Sequence, residues 1–286
     1  MLNNLNSVPN AAAANVLFDF LIGLEAPVRS IYKDIAGKAT IGVGFNLTVP
    51  DVLKAVLEKG FGFNLASPTD LAVRNSLLAI FQNTTLSAAT MQAQANAVMA
   101  GRHAGDGFTF ASGTTGLTQM QHVFDDLAPT YADTAINKLD SLGATGFSTT
   151  NWSWELIALT SLAYNGGPGI IGQNLANAIR DDNRAAAWYE IVFGSNKNNV
   201  FGLQNRRMQE GTIFGLYDTF GGTTSVDLDE AVQTYRFFTK ARVDQSKGSA
   251  SLFIVWKGNI AMLTISARLP KKPRNTKNFR QILWMW

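Results

Sequence analysis

The chain has 286 residues, of which 46% are hydrophobic, and this is enough to bury a globular core. It contains no cysteine and two histidines, so disulfides and thiolate metal sites are excluded, and we expect neither a metal nor another cofactor. Because residues 1–15 lack the features of a secretory signal and no apolar run reaches about 18 residues, we expect cytoplasmic synthesis and no membrane-spanning helix.

The N-terminal region predicts a helix followed by a β-hairpin. Apolar residues recur there at helical spacing, and Pro27 predicts that the helix ends close to Glu25. The β-prone segments 31–34 and 40–45 then flank a turn that contains Gly37. A hairpin therefore follows the first helix directly.

The middle of the chain is mostly helical in pattern. Asp51 is expected to cap the first helix of a lobe that spans residues 49–117, in which 101–117 form a loop. Thr118 is expected to open the next helix through a capping box. Further helices are predicted at residues 152–164, 172–180, 182–193 and 203–217. One small hairpin among many helices indicates an α+β domain over residues 1–220.

The C-terminal part, residues 221–286, differs in composition. It opens with a Gly- and Ser-containing linker at 221–225, and residues 251–266 predict a second hairpin. Residues 236–286 carry eleven Lys and Arg and one acid, a formal charge of +10 against −7 for the remainder. This asymmetry predicts a basic, aromatic extension attached to an acidic domain.

Two carboxylates near the first hairpin suggest acid–base chemistry. Inverting hydrolysis of a glycoside needs one carboxylic acid to protonate the leaving oxygen and a second carboxylate to hold a water. Glu25 at the helix end and Asp34 on the hairpin could fill these roles. We expect Asp34 and Thr40 to face each other across the turn, with a face left bare by Gly42 and Gly44 for a sugar chain.

The spacing of these residues resembles that of the T-even type phage lysozymes. The resemblance consists of Glu25, eight residues, Asp34, five residues and Thr40, within the segments Ile31-Tyr32-Lys33-Asp34 and Thr40-Ile41-Gly42-Val43-Gly44. It implies a lysozyme-like fold whose hairpin lobe flanks a cleft, and an inverting muramidase. Glu25 would be the general acid, and Asp34 and Thr40 would position the attacking water.

Two later segments extend the resemblance, which covers residues 14–220 weakly. Residues 163–167 are similar to the cleft segment of that family, which implies that Tyr164, Asn165 and Gly166 bind substrate. Residues 202–214 are similar to its C-terminal helix, which implies an ion pair between Arg206 and Glu25.

Departures from the family leave alternatives open. Ala26 replaces the usual glycine, Phe45 replaces a histidine, and the lobe 49–117 is longer, so substrate preference stays open. Besides a phage endolysin, the sequence is compatible with a bacteriocin or injected antibacterial toxin, a chitinase, or a non-catalytic cell-wall-binding or phage structural module. We expect a monomer, made in a host bacterial cytoplasm, that acts on peptidoglycan strands. Residues 236–286 would contact the anionic envelope, without specific binding of nucleic acid.

Overall fold

The computed structural model describes residues 2, 5–24, 26–100, 107–196, 201–215, 254–256 and 259–261. The chain divides into two units, Met1–Asp218 and Thr219–Trp286. In the N-terminal unit the strands are β1 (Val28–Lys33), β2 (Ala39–Gly42) and β3 (Phe45–Asn46), and the helices are α1 (Asn10–Leu24), α2 (Pro50–Ala55), α3 (Pro68–Gln82), α4 (Ala88–Met99), α5 (Gly113–Ser141), α6 (Trp154–Gly166), α7 (Gln173–Arg180), α8 (Arg184–Val192) and α9 (Phe201–Phe214). A π-helical turn, Val56–Gly60, continues α2, and short 3-10 turns lie at Pro168–Ile170 and Gly194–Asn196.

The N-terminal unit is mostly helical with a small antiparallel sheet, as the α+β prediction requires. The strand order is β1-β2-β3, with Tyr32 opposite Thr40 and Ile41 opposite Phe45. Helix α1 ends at Leu24, close to the position predicted from the proline that follows.

Helix α4 fixes the first strand through one side chain. The Gln92 side-chain oxygen accepts a hydrogen bond from the Ile31 amide at 2.8 Å, and its Nε2 donates to the Phe108 carbonyl at 2.8 Å. The Ile31 bond lies where the pairing of β1 with β2 shifts register. Gln92 therefore supplies a hydrogen bond to β1 that the neighbouring strand does not, and it anchors the hairpin to the helical lobe.

Most helix predictions are confirmed, and two helix-start predictions are wrong. Helices α6 to α9 lie within three residues of their predicted bounds. Helix α5, however, begins at Gly113, so Thr118 lies inside it, where its hydroxyl donates to the Thr114 carbonyl instead of capping. Helix α2 has Val49 at its N-cap and Pro50 in its first turn, so Asp51 does not cap it.

Helix α6 is the central helix of the unit, and Glu155 through Ala163 are all buried. Glu155 forms a buried ion pair with Arg184 of α8 at 2.8 Å, and it accepts hydrogen bonds from the backbone and side chain of Asn6. Arg184 also donates to the Phe214 carbonyl at 2.9 Å. This cluster links the N-terminal segment, α6, α8 and the end of α9.

In the C-terminal unit, β4 (Ile254–Trp256) pairs antiparallel with β5 (Asn259–Ala261). Trp256 lies opposite Asn259, so the hairpin predicted within residues 251–266 is present. The predicted linker and most of the basic segment 236–286 lie outside the described residues. No helix in the described part of the chain combines the length and the apolar character needed to span a bilayer.

Candidate active site

The Asp34 carboxylate is held by the turn of the first hairpin. Its Oδ1 accepts hydrogen bonds from the backbone amides of Ala36 at 2.9 Å and Lys38 at 2.8 Å. The Asp34 amide donates in turn to the Lys38 carbonyl at 3.0 Å. Its Oδ2 accepts no hydrogen bond from any residue that the structure describes, and the side chain is half-buried. One carboxylate oxygen is therefore fixed while the other can still bind a water.

Thr40 lies on the same face of the hairpin, but the predicted direct pairing with Asp34 is wrong. Thr40 is opposite Tyr32, and continuing that register places Asp34 opposite Lys38. The turn between them is closed by the Lys38 amide, which donates to the Asp34 side chain, and by the Asp34 amide, which donates to the Lys38 carbonyl. Asp34 and Thr40 are consequently diagonal neighbours, a relation in which residues lie roughly 7–8 Å apart. The Thr40 side chain is 2% exposed, and its hydroxyl donates to the Lys38 carbonyl at 3.1 Å.

The bare face predicted beside Gly42 and Gly44 is not present. Both glycines have positive φ angles, +70° and +118°, so the chain turns there instead of continuing a strand. A Cβ at Gly42 would lie 2.7 Å from the Phe45 ring, and one at Gly44 would lie 3.0 Å from the Tyr164 hydroxyl. Aromatic side chains therefore fill the space that was predicted to be open. Ile41 and Phe45 are buried as expected.

Tyr164 joins the end of α6 to the hairpin. Its hydroxyl donates to the Val43 carbonyl at 3.2 Å, and its ring packs edge-on against Tyr131 with centroids 4.7 Å apart. Burial raises the pKa of Tyr131. Asn165 and Gly166 follow at the exposed end of the helix. Gly166 packs so closely on the following 3-10 turn that a Cβ would lie 2.5 Å from the side chain of Ile170.

Arg206 is buried between α9 and α6 and is 5% exposed. Its Nε pairs with Glu210 at 3.0 Å, and its Nη2 donates to the Ser161 hydroxyl at 3.3 Å. Glu25 lies outside the described residues, so the predicted general acid and its pairing with Arg206 stay predictions.

Two charged residues beside Arg206 were missed by the sequence reasoning. Arg207 and Glu210 are both 0% exposed and form an ion pair. Arg207 also donates from Nη2 to the side-chain oxygen of Asn165 at 2.7 Å, and Glu210 accepts from the Ser161 hydroxyl at 2.8 Å. The spacing of arginines three and four residues before a glutamate on a helix was the available signal.

The predicted site residues that the structure describes lie in two separate hydrogen-bonded groups. Asp34 and Thr40 share the Lys38 carbonyl on the hairpin, while Asn165 and Arg206 belong to the network around Glu210. Tyr164 touches the hairpin three residues beyond Thr40. The part of the chain that the structure describes contains no cluster of three acidic or histidine side chains able to hold a metal.

Comparison with known proteins gives no relative: the chain matches no protein-family model, no curated protein and no solved structure. A functional assignment therefore depends on the residues and their geometry. The described site defines a hairpin-borne carboxylate with one oxygen available and, as its diagonal neighbour, a buried hydroxyl; the end of α6 contacts the same hairpin at Val43.

Proposed function

We propose that the N-terminal unit is an inverting muramidase that hydrolyses the β-1,4 bond between N-acetylmuramic acid and N-acetylglucosamine in peptidoglycan. The spacing of Glu25, Asp34 and Thr40, which resembles that of the T-even type phage lysozymes, motivates the proposal. The observation that carries it is the hydrogen bonding of the Asp34 carboxylate. The hairpin turn fixes one carboxylate oxygen and leaves the other unbonded on the face that also holds Thr40.

The hydrogen bonds around Asp34 and Thr40 suit the activation of a water. The Thr40 hydroxyl donates its one hydrogen bond to the Lys38 carbonyl, so its oxygen can only accept a hydrogen bond from a water. Asp34 Oδ2 is a second acceptor. A water between them donates both protons, one to each oxygen, and its lone pair is then directed away from the hairpin. That lone pair attacks C1 of N-acetylmuramic acid while a proton passes to Asp34.

Glu25 supplies the second half of the reaction. In the sequence it lies between α1 and β1, three residues before the strand that leads to Asp34. In the proposed step Glu25 protonates the O4 leaving oxygen of N-acetylglucosamine as the C1–O4 bond breaks. Solvent then returns the proton from Asp34 to Glu25, which restores both groups. Inversion requires carboxyl groups roughly 6.5–9.5 Å apart, which leaves room for the water.

The exposed end of α6 is the proposed glycan-binding surface, through Tyr164, Asn165 and Gly166. Tyr164 supports this role because its bond to Val43 holds the helix end against the hairpin. We propose that the biological role is lysis of a bacterial host by a phage endolysin.

A separate role is proposed for the basic segment 236–286. Its eleven Lys and Arg, together with Trp256, Trp284 and Trp286, suit binding to an anionic envelope surface. The segment offers no pair of carboxylates for catalysis, since Asp244 is its one acidic residue.

The test of the proposed reaction is the release of reducing N-acetylmuramic acid from purified peptidoglycan, identified by mass. Glu25→Gln should lower the rate by about 100-fold or more, because the proton donor is lost. The matched control is Asp51→Asn, which removes an exposed carboxyl group on α2 and should leave the rate unchanged. Circular dichroism should show the same fold in all three proteins. Full activity of a folded Glu25→Gln variant, or no release of reducing muramic acid by the wild type, would overturn the proposal.

A further inference from the structure

Arg207 reaches from the buried network on α9 to an exposed residue at the end of α6. We propose that Arg207 is a positioning residue that orients the Asn165 side chain, so that its NH2 group faces the glycan and donates a hydrogen bond to it. This inference rests on the proposed function for the identity of the ligand. It assigns a role to a residue that the sequence pattern did not single out.

The orientation of Asn165 follows from the chemistry of its partner. A guanidinium has five donors and no acceptor, so only the carbonyl oxygen of an asparagine side chain can face it. The structure shows this bond, from Arg207 Nη2 to Asn165 Oδ1 at 2.7 Å. The NH2 group must then be directed away from Arg207. Asn165 is exposed, and its Nδ2 donates to no residue that the structure describes.

Arg207 can set this orientation because it is itself held in place. Its side chain is 0% exposed and its Nη1 pairs with Glu210, which is also 0% exposed. Glu210 is fixed in turn by Arg206 and by the Ser161 hydroxyl of α6. The Arg207 guanidinium therefore has little freedom to move, and the Asn165 side-chain amide bonded to it has little freedom to rotate.

The position of Asn165 fits contact with an N-acetylated sugar. The preceding residue, Tyr164, bonds the Val43 carbonyl, so the helix end lies against the hairpin that carries Asp34 and Thr40. N-acetylated sugars present acetamido carbonyl and hydroxyl oxygens, which accept from an NH2 group. A fixed donor at this position would select such an acceptor and reject a group that can only donate.

Asn165→Asp separates this role from a purely structural one. A carboxylate accepts from Arg207 at least as well as the amide does, so the melting temperature should stay the same or rise. The donor toward the glycan is lost, so KM for soluble peptidoglycan fragments should rise about tenfold with little change in kcat. Asn177→Asp is the matched control, since the Asn177 side-chain oxygen also accepts a hydrogen bond and the residue lies on α7. An unchanged KM in Asn165→Asp would overturn the inference.

A double-mutant cycle tests whether Arg207 acts through Asn165. Arg207→Lys should raise KM in the wild-type background, because an ammonium on a shorter, more flexible chain orients the amide less well. The same change should have no further effect on KM in an Asn165→Ala background. An equal rise in both backgrounds would show that Arg207 does not act through Asn165 and would overturn the positioning role.

A binding measurement keeps this inference separable from the proposed reaction. Chitotetraose is added to the full-length Glu25→Gln protein, and the side-chain NH2 resonances of Asn165 are followed by 15N NMR. A shift of those resonances, with none for Asn177, supports the inference even if the wild type proves inactive on peptidoglycan. No shift of the Asn165 resonances overturns it, whereas inactivity of the wild type overturns the proposed reaction alone.

Discussion

Asp34 has two roles that substitution can separate, because its two oxygens do different things. Oδ1 closes the turn through the amides of Ala36 and Lys38, and Oδ2 is proposed to take a proton from the attacking water. In Asp34→Asn the two amides can be satisfied only by the side-chain oxygen, so the NH2 group takes the place of Oδ2. We expect hydrolysis to fall about 100- to 10,000-fold while stability changes by less than about 0.5 kcal/mol.

Asp34→Ala should lose stability as well as activity. Both turn hydrogen bonds disappear, but the turn is partly exposed, so water replaces them in part. We expect a loss of about 1–2 kcal/mol, comparable to that of a helix N-cap. Urea unfolding measures the stability, and release of reducing sugar measures the activity. The reasoning is refuted if Asp34→Asn is as unstable as Asp34→Ala, or if it hydrolyses peptidoglycan at the wild-type rate.

Three further predictions follow from other parts of the chain. Arg184→Met leaves the buried Glu155 carboxylate without its ion-pair partner and should cost about 3–5 kcal/mol in urea unfolding; a loss below about 1 kcal/mol would contradict it. Burial favours the neutral phenol of Tyr131 and raises its pKa above the ordinary 10.0. This preference stabilises the fold fully below pH 10.0, and the stabilisation is lost as the pH rises above 10.0. Tyr131→Phe should reduce the alkaline loss of stability, and identical wild-type and variant profiles would count against this. Truncation after Gly222 should leave hydrolysis of purified peptidoglycan unchanged and weaken binding to anionic vesicles, most at low salt; equal vesicle binding would exclude the role of residues 236–286.

Local signals in the sequence predicted much of the helical fold. The proline after Ala26 predicted the end of α1, and α6 to α9 lie close to their predicted bounds, because helix signals act within a few residues. The start of α5 was missed because Thr118 has the pattern of a capping box but lies inside a longer helix.

The geometry of the candidate site was less predictable, because it depends on contacts between distant segments. The offset between Asp34 and Thr40 follows from the hairpin register, in which Asp34 is opposite Lys38 and also accepts a side-chain bond from its amide, and residue spacing does not reveal this register. The small residue at Gly44 suggested open space, whereas Tyr164, far away in the chain, occupies it. The bond from Arg207 to Asn165 likewise joins two helices across 42 positions of sequence.

The inverting mechanism is the central claim, and the configuration of the first product tests it most directly. Proton NMR during early turnover of a soluble glycan strand reports the anomeric form of the new reducing N-acetylmuramic acid before it equilibrates. Attack by a water held at Asp34 and Thr40, on the face opposite Glu25, predicts the α-anomer first. An initial β-anomer, or a 1,6-anhydro product formed without water, would contradict the account.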